Sequence, residues 1–395
     1  MNYHSPAFLM THCQDILKFY DPRVKDSQGG YFQNYMDNGD LFDSGFKQLV
    51  SSTRIVVNYA TAGMLFERDD YLKMARHGLD FVEQVHWQPD ADGYAWTLQD
   101  NQPQDMTQQA YGYAFVLLAY AAARKAGIVT SNDMLLKTYQ QLESRFWQAD
   151  FGLYADEISP EGELSSYRGQ NSNMHLCEAM LAAYEASNEQ VFLTRAQTLA
   201  QNIAFRQADL TDGLIWEHYT TDFQPDWEYN KEDPKNLYRP WGFQPGHQTE
   251  WTKLLIILHR HAPNQKLVER AKSLFDRAYE KCWDATHGGL IYGFAPDGTW
   301  CDDDKYFWVQ AESFAAAAML FSVTQDEQYL TQYNALWDYS WEHMIDHQYG
   351  AWFRVLHRDN SKYSEQKSAA GAKCDYHTLG ACFEVLRTIG NTRLK

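Results

Sequence analysis

Three histidines in this chain of 395 residues stand among polar neighbours that an apolar core would not select. They are His175 in RGQNSNMHLCEAM, His247 in QPGHQTEWTKLL and His377 in AKCDYHTLGACFEVL. Histidine is the side chain whose ordinary pKa lets it both take and return a proton near neutrality. His175 with Glu178, and His247 with Glu250, are each three residues apart, a spacing that puts both side chains on one helix face. Two chemistries use that spacing. Metal ligation is one, but the order is reversed from the usual di-metal pattern and no cysteine or further aspartate joins it. Acid/base work is the other, and the first turn of a helix suits it, because the positive end of the dipole disfavours the imidazolium form. The expectation is therefore proton transfer without a metal or other cofactor.

Further candidates share the same placement at the start of apolar, helix-patterned segments. They are Arg54 in SSTRIVVNYA, Gln108 and Tyr111 in TQQAYGYAF, Asn171 and Asn173 beside His175, Gln310 and Glu312 in WVQAESFAA, and Lys373 in AKCDYH. Arg54 is costly to bury unless it meets an anion or a polarised oxygen. Glu178, Glu250 and Glu312 are either part of the chemistry or its structural partners. His12, His77, His86, His218, His259, His261, His287, His343, His347 and His357 read as surface or capping residues. Aromatic residues make up 15% of the chain, and Trp308 in FWVQAE begins one of these segments. Rings with polar tips either fill a wide core or, gathered at the helix starts, line a sugar-binding cavity.

The elements that would position these residues follow from a repeat of about sixty residues. Gly30-Tyr-Phe-Gln, Gly93-Tyr-Ala-Trp, Gly152-Leu-Tyr-Ala, Gly213-Leu-Ile-Trp, Gly289-Leu-Ile-Tyr and Gly350-Ala-Trp-Phe each read as a tight turn entering a short strand. Helical periodicity between them predicts twelve helices, at 5–21, 46–66, 70–87, 105–126, 131–148, 171–187, 189–206, 246–262, 265–283, 307–324, 326–345 and 375–391. Alternate helices are apolar on more than one face, as in 108–125, while their partners, such as 265–283, carry one apolar stripe. Six inner and six outer helices predict an all-α (α/α)6 barrel with short β-hairpins at the loop ends; an open solenoid is the alternative. The inner helices then run in one direction, and their first turns converge on a polar pocket. The repeat runs end to end without a linker, so one catalytic domain over residues 1–395 is expected.

A formal charge of −18 argues against nucleic acid or an anionic membrane as partner. The N-terminus has no cationic stretch followed by an apolar one, and the six cysteines show no CxxC spacing, so a cytoplasmic protein with reduced thiols is expected.

RGQNSNMHLCEAM, PWGFQPGHQTEWTKLL, FWVQAE and KCDYHTLG, in this order and spanning the chain, resemble the N-acylglucosamine 2-epimerase superfamily of cofactor-independent sugar epimerases and isomerases. GQNSNMHLCEA followed by GHQTEW is most similar to its D-mannose isomerase branch, which includes sulfoquinovose isomerases. Cellobiose 2-epimerases usually carry Asn after the last histidine, where Thr378 stands here. The resemblance implies the same barrel, catalytic roles for His247 and His377, a third pocket histidine in His175, and substrate contacts from Arg54 and Arg239. It implies interconversion of D-mannose and D-fructose, with D-lyxose as a further aldose, His377 moving the proton from C2 to C1 and His247 serving the oxygens. Glu250 is expected to orient His247, and Arg54 with His175 to stabilise the enediolate. A mannose or cellobiose 2-epimerase, a sulfoquinovose isomerase, a glycoside hydrolase using Glu250 and Glu312, and a non-enzymatic sugar-binding protein are the alternatives. TTDFQPDWEYNKEDPKNLYRPWG reads as a lid over the pocket, and the protein as a monomer or homodimer.

Overall fold

Twelve helices form where the periodicity places them. In the computed structural model, which describes residues 1–390, they are α1 (Pro6–Tyr20), α2 (Leu49–Phe66), α3 (Asp69–Phe81), α4 (Ala110–Lys125), α5 (Asp133–Arg145) and α6 (Gln170–Ser187). The second half holds α7 (Gln190–Ala200), α8 (Pro245–His261), α9 (Gln265–Cys282), α10 (Phe307–Thr324), α11 (Glu327–Tyr339) and α12 (Tyr376–Thr388). The even-numbered helices are inner. α10 is buried almost all round, as its alanine-rich sequence requires, whereas α9 buries one stripe through Leu267, Ala271, Leu274, Phe275 and Ala278. Each inner helix packs on the next, and α12 packs back on α2, so the ring is closed. This is an (α/α)6 barrel, and the open solenoid is ruled out by that last contact.

Some boundaries differ from the sequence reading. Phe46–Gln48 and Gln108–Gln109 are strands, so α2 and α4 start later than their patterns. α3, α7 and α11 pass into π-helical turns at 82–86, 201–207 and 340–344, for which the sequence carries no marker. The expected end of the last helix at 391 lies outside the described residues.

The hairpins form a belt at the N-terminal end of the inner helices. Strands 46–48, 108–109 and 168–169 pair with 97–99, 157–158 and 218–219 of the following repeats, and 305–306 pairs with 355–356. Phe243 bridges to Phe294, and 366–368 pairs with 34–36, which joins the last repeat to the first. The repeat glycines have positive φ at five of the six positions; the exception is Gly93, where an added Cβ would stand 2.3 Å from Gln108 Oε1.

At the starts of α4, α6, α8 and α10 one amide pins the hairpin. Gln108, Asn173, Gln248 and Gln310 each accept from the N–H and donate to the C=O of Tyr94, Tyr154, Ile215 and Leu290 respectively. Gln108, Asn173 and Gln310 therefore serve the scaffold, not the pocket where their position had suggested they would point. Buried pairs close three of the loops: Lys47 with Asp26 at 2.6 Å, Lys367 with Asp346 at 2.6 Å and Lys305 with Asp284 at 3.4 Å. Among the described residues no helix is long and apolar enough to cross a membrane.

Candidate active site

The first turns of the inner helices and the hairpin belt enclose a cavity of about 720 Å³. His247 is the third residue of α8 and His377 the second of α12, while His175 lies in the second turn of α6. All three line the cavity together with Arg54, Tyr111, Asn171, Arg239, Glu250 and Trp308. The sequence reading thus brings nine of its candidate residues to one chamber.

Each histidine has its Nδ1 tied to a carboxylate. His247 Nδ1 stands 2.9 Å from Glu217 Oε2, His377 Nδ1 2.7 Å from Glu312 Oε1, and His175 Nδ1 2.9 Å from Glu178 Oε2. With Nδ1–H donating to the carboxylate, the tautomer leaves Nε2 of each ring as the acceptor that can meet a ligand. Burial drives His377 well below the usual histidine range, and Arg54, His175 and Lys253 push the same way. Burial also takes His175 down to about 4, against the upward pull of Glu178. Both rings are neutral at pH 7.

The partners are not those that helix spacing suggested. Glu250 does not hold His247; that carboxylate is Glu217, in the hairpin before α8, itself accepting from Gln170 Nε2 at 3.0 Å. Both oxygens of Glu250 lack a protein hydrogen bond, and the residue faces the cavity. Burial, with Glu312 and Glu178 adding, raises its pKa well above the carboxylate range, which favours the uncharged acid at this cavity-facing position. Glu178 and Glu312 do not line the cavity as expected. Glu178 accepts from Tyr376 Oη at 2.9 Å besides holding His175, and Glu312 lies behind His377 with Lys253 Nζ 2.6 Å from its other oxygen. Lys373 is also placed elsewhere: its ammonium is fully buried against Asp375, which Tyr20 Oη donates to at 2.5 Å. The loop before α12 turns it inward, because Asp375 takes a left-handed conformation, with φ of 52°, at the helix start. Asp375 stands at the N-cap position of α12 without capping a backbone N–H there, and gathers Lys373, Tyr20 and Thr378.

Arg54 is not the structural partner of the three glutamates. Its guanidinium lies 4.2 Å from the Phe115 ring centre and 4.9 Å from that of Tyr376, and donates to Tyr111 Oη at 2.9 Å. No carboxylate forms an ion pair with it among the described residues, and its Nε is unpartnered, so it remains available to oxygens in the cavity. Trp308 lies 4.9 Å from His247 and 5.7 Å from His377, ring centre to ring centre. That approach is possible because Gly246 has no Cβ, which would stand 2.4 Å from the indole.

The 220–242 insertion supplies a wall through Tyr229, Asn230, Leu237, Tyr238 and Arg239. Arg239 donates to Glu157 Oε2 at 2.8 Å and to Tyr229 Oη at 3.0 Å, and stacks 3.8 Å from the Tyr167 ring centre. His218, read as a surface or capping residue, is buried in the cavity wall, with its nitrogens held by Tyr167 Oη and the Pro240 carbonyl.

Sequence reasoning missed Glu217, Lys253, Asp156 and Arg354. A signal for three of them existed in the repeat: the residue four positions after the marker glycine is Thr97, Asp156, Glu217 or Arg354 in four repeats, and all four line the cavity. Strand alternation after a fixed turn sends that position inward. Lys253 had no such marker.

Two triplets, His175–Glu178–Glu250 and Glu250–Glu312–His377, bring their potential ligand atoms within 4.8 Å of one another. The Lys253 ammonium, 2.6 Å from Glu312 and 3.8 Å from Glu178, already supplies a cation to these carboxylates, so the donor set does not fit a resident metal ion.

Known proteins share this whole arrangement of chain. A family model described as N-acylglucosamine 2-epimerase (GlcNAc 2-epimerase) matches residues 30–381. The D-mannose isomerase of Marinomonas mediterranea is 50% identical over 389 residues, which is 98% of this chain and 98% of that one. A crystal structure of D-mannose isomerase superposes with a TM-score of 0.96 at 49% identity, covering 98% of this chain and 99% of the other. The cellobiose 2-epimerase of Bacillus thermoamylovorans, at 19% identity and a TM-score of 0.85, shares the fold. The chain belongs to the N-acylglucosamine 2-epimerase family.

Proposed function

We propose that this protein is a cofactor-independent aldose–ketose isomerase that interconverts D-mannose and D-fructose, with D-lyxose and D-xylulose as a further pair. The observation that carries the reading is the pair of histidine–carboxylate dyads, His247–Glu217 and His377–Glu312, whose histidines stand on two helices facing one sugar-sized cavity. The similarity to D-mannose isomerases over nearly the full chain supports the same substrate. The whole chain acts as one catalytic domain in this reading, as a monomer or homodimer in the cytoplasm.

In the open-chain aldose, His377 Nε2 takes the proton from C2, and the electron pair forms the C1–C2 double bond while the C1 carbonyl oxygen becomes anionic. Arg54 donates to the enediolate oxygens, and Glu250, being an acid, donates to the same region. The proton held on His377 then returns to C1 on the same face. His247, whose ring is oriented by Glu217, carries the proton from O2 to O1, so that C2 ends as the carbonyl. His175, neutral and packed edge-on to Tyr111 at 5.1 Å, supports the substrate oxygens beside Arg54. Asn171, with an unpartnered Oδ1, and Arg239 contact the rest of the sugar, and Trp308 offers its face to the C–H side of the chain.

Two dyads on separate helices also fit 2-epimerisation, in which one histidine removes the C2 proton and the other returns one to the opposite face. Glycoside hydrolysis loses its support, because Glu312 is committed to His377 and Lys253 and is not free to pair with Glu250. A proton NMR time course of D-mannose in D₂O separates the readings. Fructose supports the isomerase, with protium at C1 where the His377 proton is passed on directly and deuterium where it exchanges with solvent first; glucose with deuterium at C2 supports the epimerase, and unchanged mannose overturns both.

A further inference from the structure

Lys253 is buried and does not line the cavity, yet it stands where two of the three histidine dyads meet. It lies on α8, three residues beyond Glu250, with Nζ 2.6 Å from Glu312 Oε2 and 3.8 Å from Glu178 Oε1. The first carboxylate holds His377 and the second holds His175. The groups that face Glu312 are Lys253 and Glu250 from α8, Glu178 and His175 from α6, and His377 from α12, with Arg54 approaching from α2. Three carboxyl groups thus share one buried ammonium, and their crowding means that the position of that cation decides which of them carries charge.

We infer that Lys253 is a positioning residue for proton transfer: it keeps Glu312 ionised as the acceptor for His377 Nδ1–H, and by siding with Glu312 and Glu178 it leaves Glu250 as the uncharged acid facing the substrate. The geometry is selective, since Lys253 Nζ lies within ion-pair distance of the two carboxylates that hold histidines, and among the described residues it forms no ion pair with Glu250. Burial leaves Glu312 above the usual carboxylate range, with Lys253 the largest influence opposing it. Without the ammonium, Glu312 would bind a proton at higher pH. A protonated Glu312 can donate to Nδ1, which transfers the ring hydrogen to Nε2 and removes the base from the cavity. This inference rests on the isomerase reading, because it concerns the state of His377 as base.

The test measures kcat and KM for mannose isomerisation as a function of pH in wild type, Lys253→Met and Lys253→Arg. Lys253→Met is expected to lose roughly 10- to 100-fold in kcat at neutral pH with little change in KM, as for removal of an outer-shell partner. Its acid limb should move to higher pH, so that much of the loss is recovered in alkaline buffer. Lys253→Arg, which keeps the charge, should retain the wild-type acid limb. A Lys253→Met profile parallel to wild type, or a defect confined to KM, would overturn the inference. If Lys253→Met does not fold, a displaced acid limb in Lys253→Arg overturns it and an unmoved one supports it. Wild type that forms no ketose would instead sink the isomerase reading, whereas active wild type with a parallel variant sinks only the role of Lys253.

Discussion

His377 Nδ1 meets Glu312 Oε1 at 2.7 Å, a bond that crosses from α12 to α10 over 65 residues of chain. It fixes the tautomer of the ring proposed as base, so its two members should fail differently. His377→Ala should lower kcat by about 10²- to 10⁴-fold, while Glu312→Gln, which keeps the ring in place, should cost roughly 10- to 100-fold with KM little changed. Steady-state kinetics on mannose for the two variants checks this; equal and small losses would remove His377 from the chemistry.

Glu217 takes the role that sequence spacing gave to Glu250. Glu217→Gln should lower kcat by more than about tenfold, because it loses the carboxylate that holds His247. Glu250→Gln should lose less than about tenfold in kcat/KM, because burial already keeps Glu250 uncharged and the amide preserves a donor. Side-by-side kinetics decides; a greater loss in Glu250→Gln would restore the i,i+3 pairing with His247.

Chelation is expected to leave turnover unchanged. The buried carboxylates near His175 and His377 already have Lys253 as their cation. Dialysis against EDTA followed by the mannose assay checks this, and activity lost on chelation and restored by a divalent ion would overturn it.

Gln310 is a staple, not a sugar ligand. Its amide accepts from Leu290 N–H at 2.9 Å and donates to Leu290 C=O at 2.8 Å in a fully buried site. Gln310→Ala leaves both backbone groups unpaired and should destabilise the fold by about 2 to 5 kcal/mol, with KM unchanged at a temperature where the protein is folded. Denaturant unfolding together with KM measures both parts; a raised KM with unchanged stability would return Gln310 to the pocket.

His12 gives a stability term with a defined pH window. Burial lowers it from 6.5 to about 4, and Trp352 Nε1 donates to its Nε2 at 2.9 Å. The folded state binds the proton less readily than the unfolded one, so this stabilisation is complete above pH 6.5 and is lost as pH falls towards 4. His12→Gln removes the titration and should lose about 2 kcal/mol less than wild type between pH 7 and pH 5. Unfolding curves at both pH values check the difference, and equal losses would refute it.

The sequence by itself determined the barrel and the chamber. Six glycine turns and twelve amphipathic or wholly apolar segments are local patterns, and each dictates its element through backbone conformation and burial, so the inner-helix starts carrying Arg54, Tyr111, His175, His247 and His377 were legible. Tertiary structure alone decided the pairing. Spacing along one helix joined His247 to Glu250, but the first turn of α8 faces the hairpin that carries Glu217, and the carboxylate delivered by another segment lies nearer. Glu312 was drawn behind the cavity wall for the same reason, because the Lys253 ammonium comes from another helix, whereas Lys373 follows Asp375, its neighbour two positions along the same loop. A buried charge goes to the partner that compensates its desolvation, and which partner is within reach is a property of packing between segments, not of residue spacing within one.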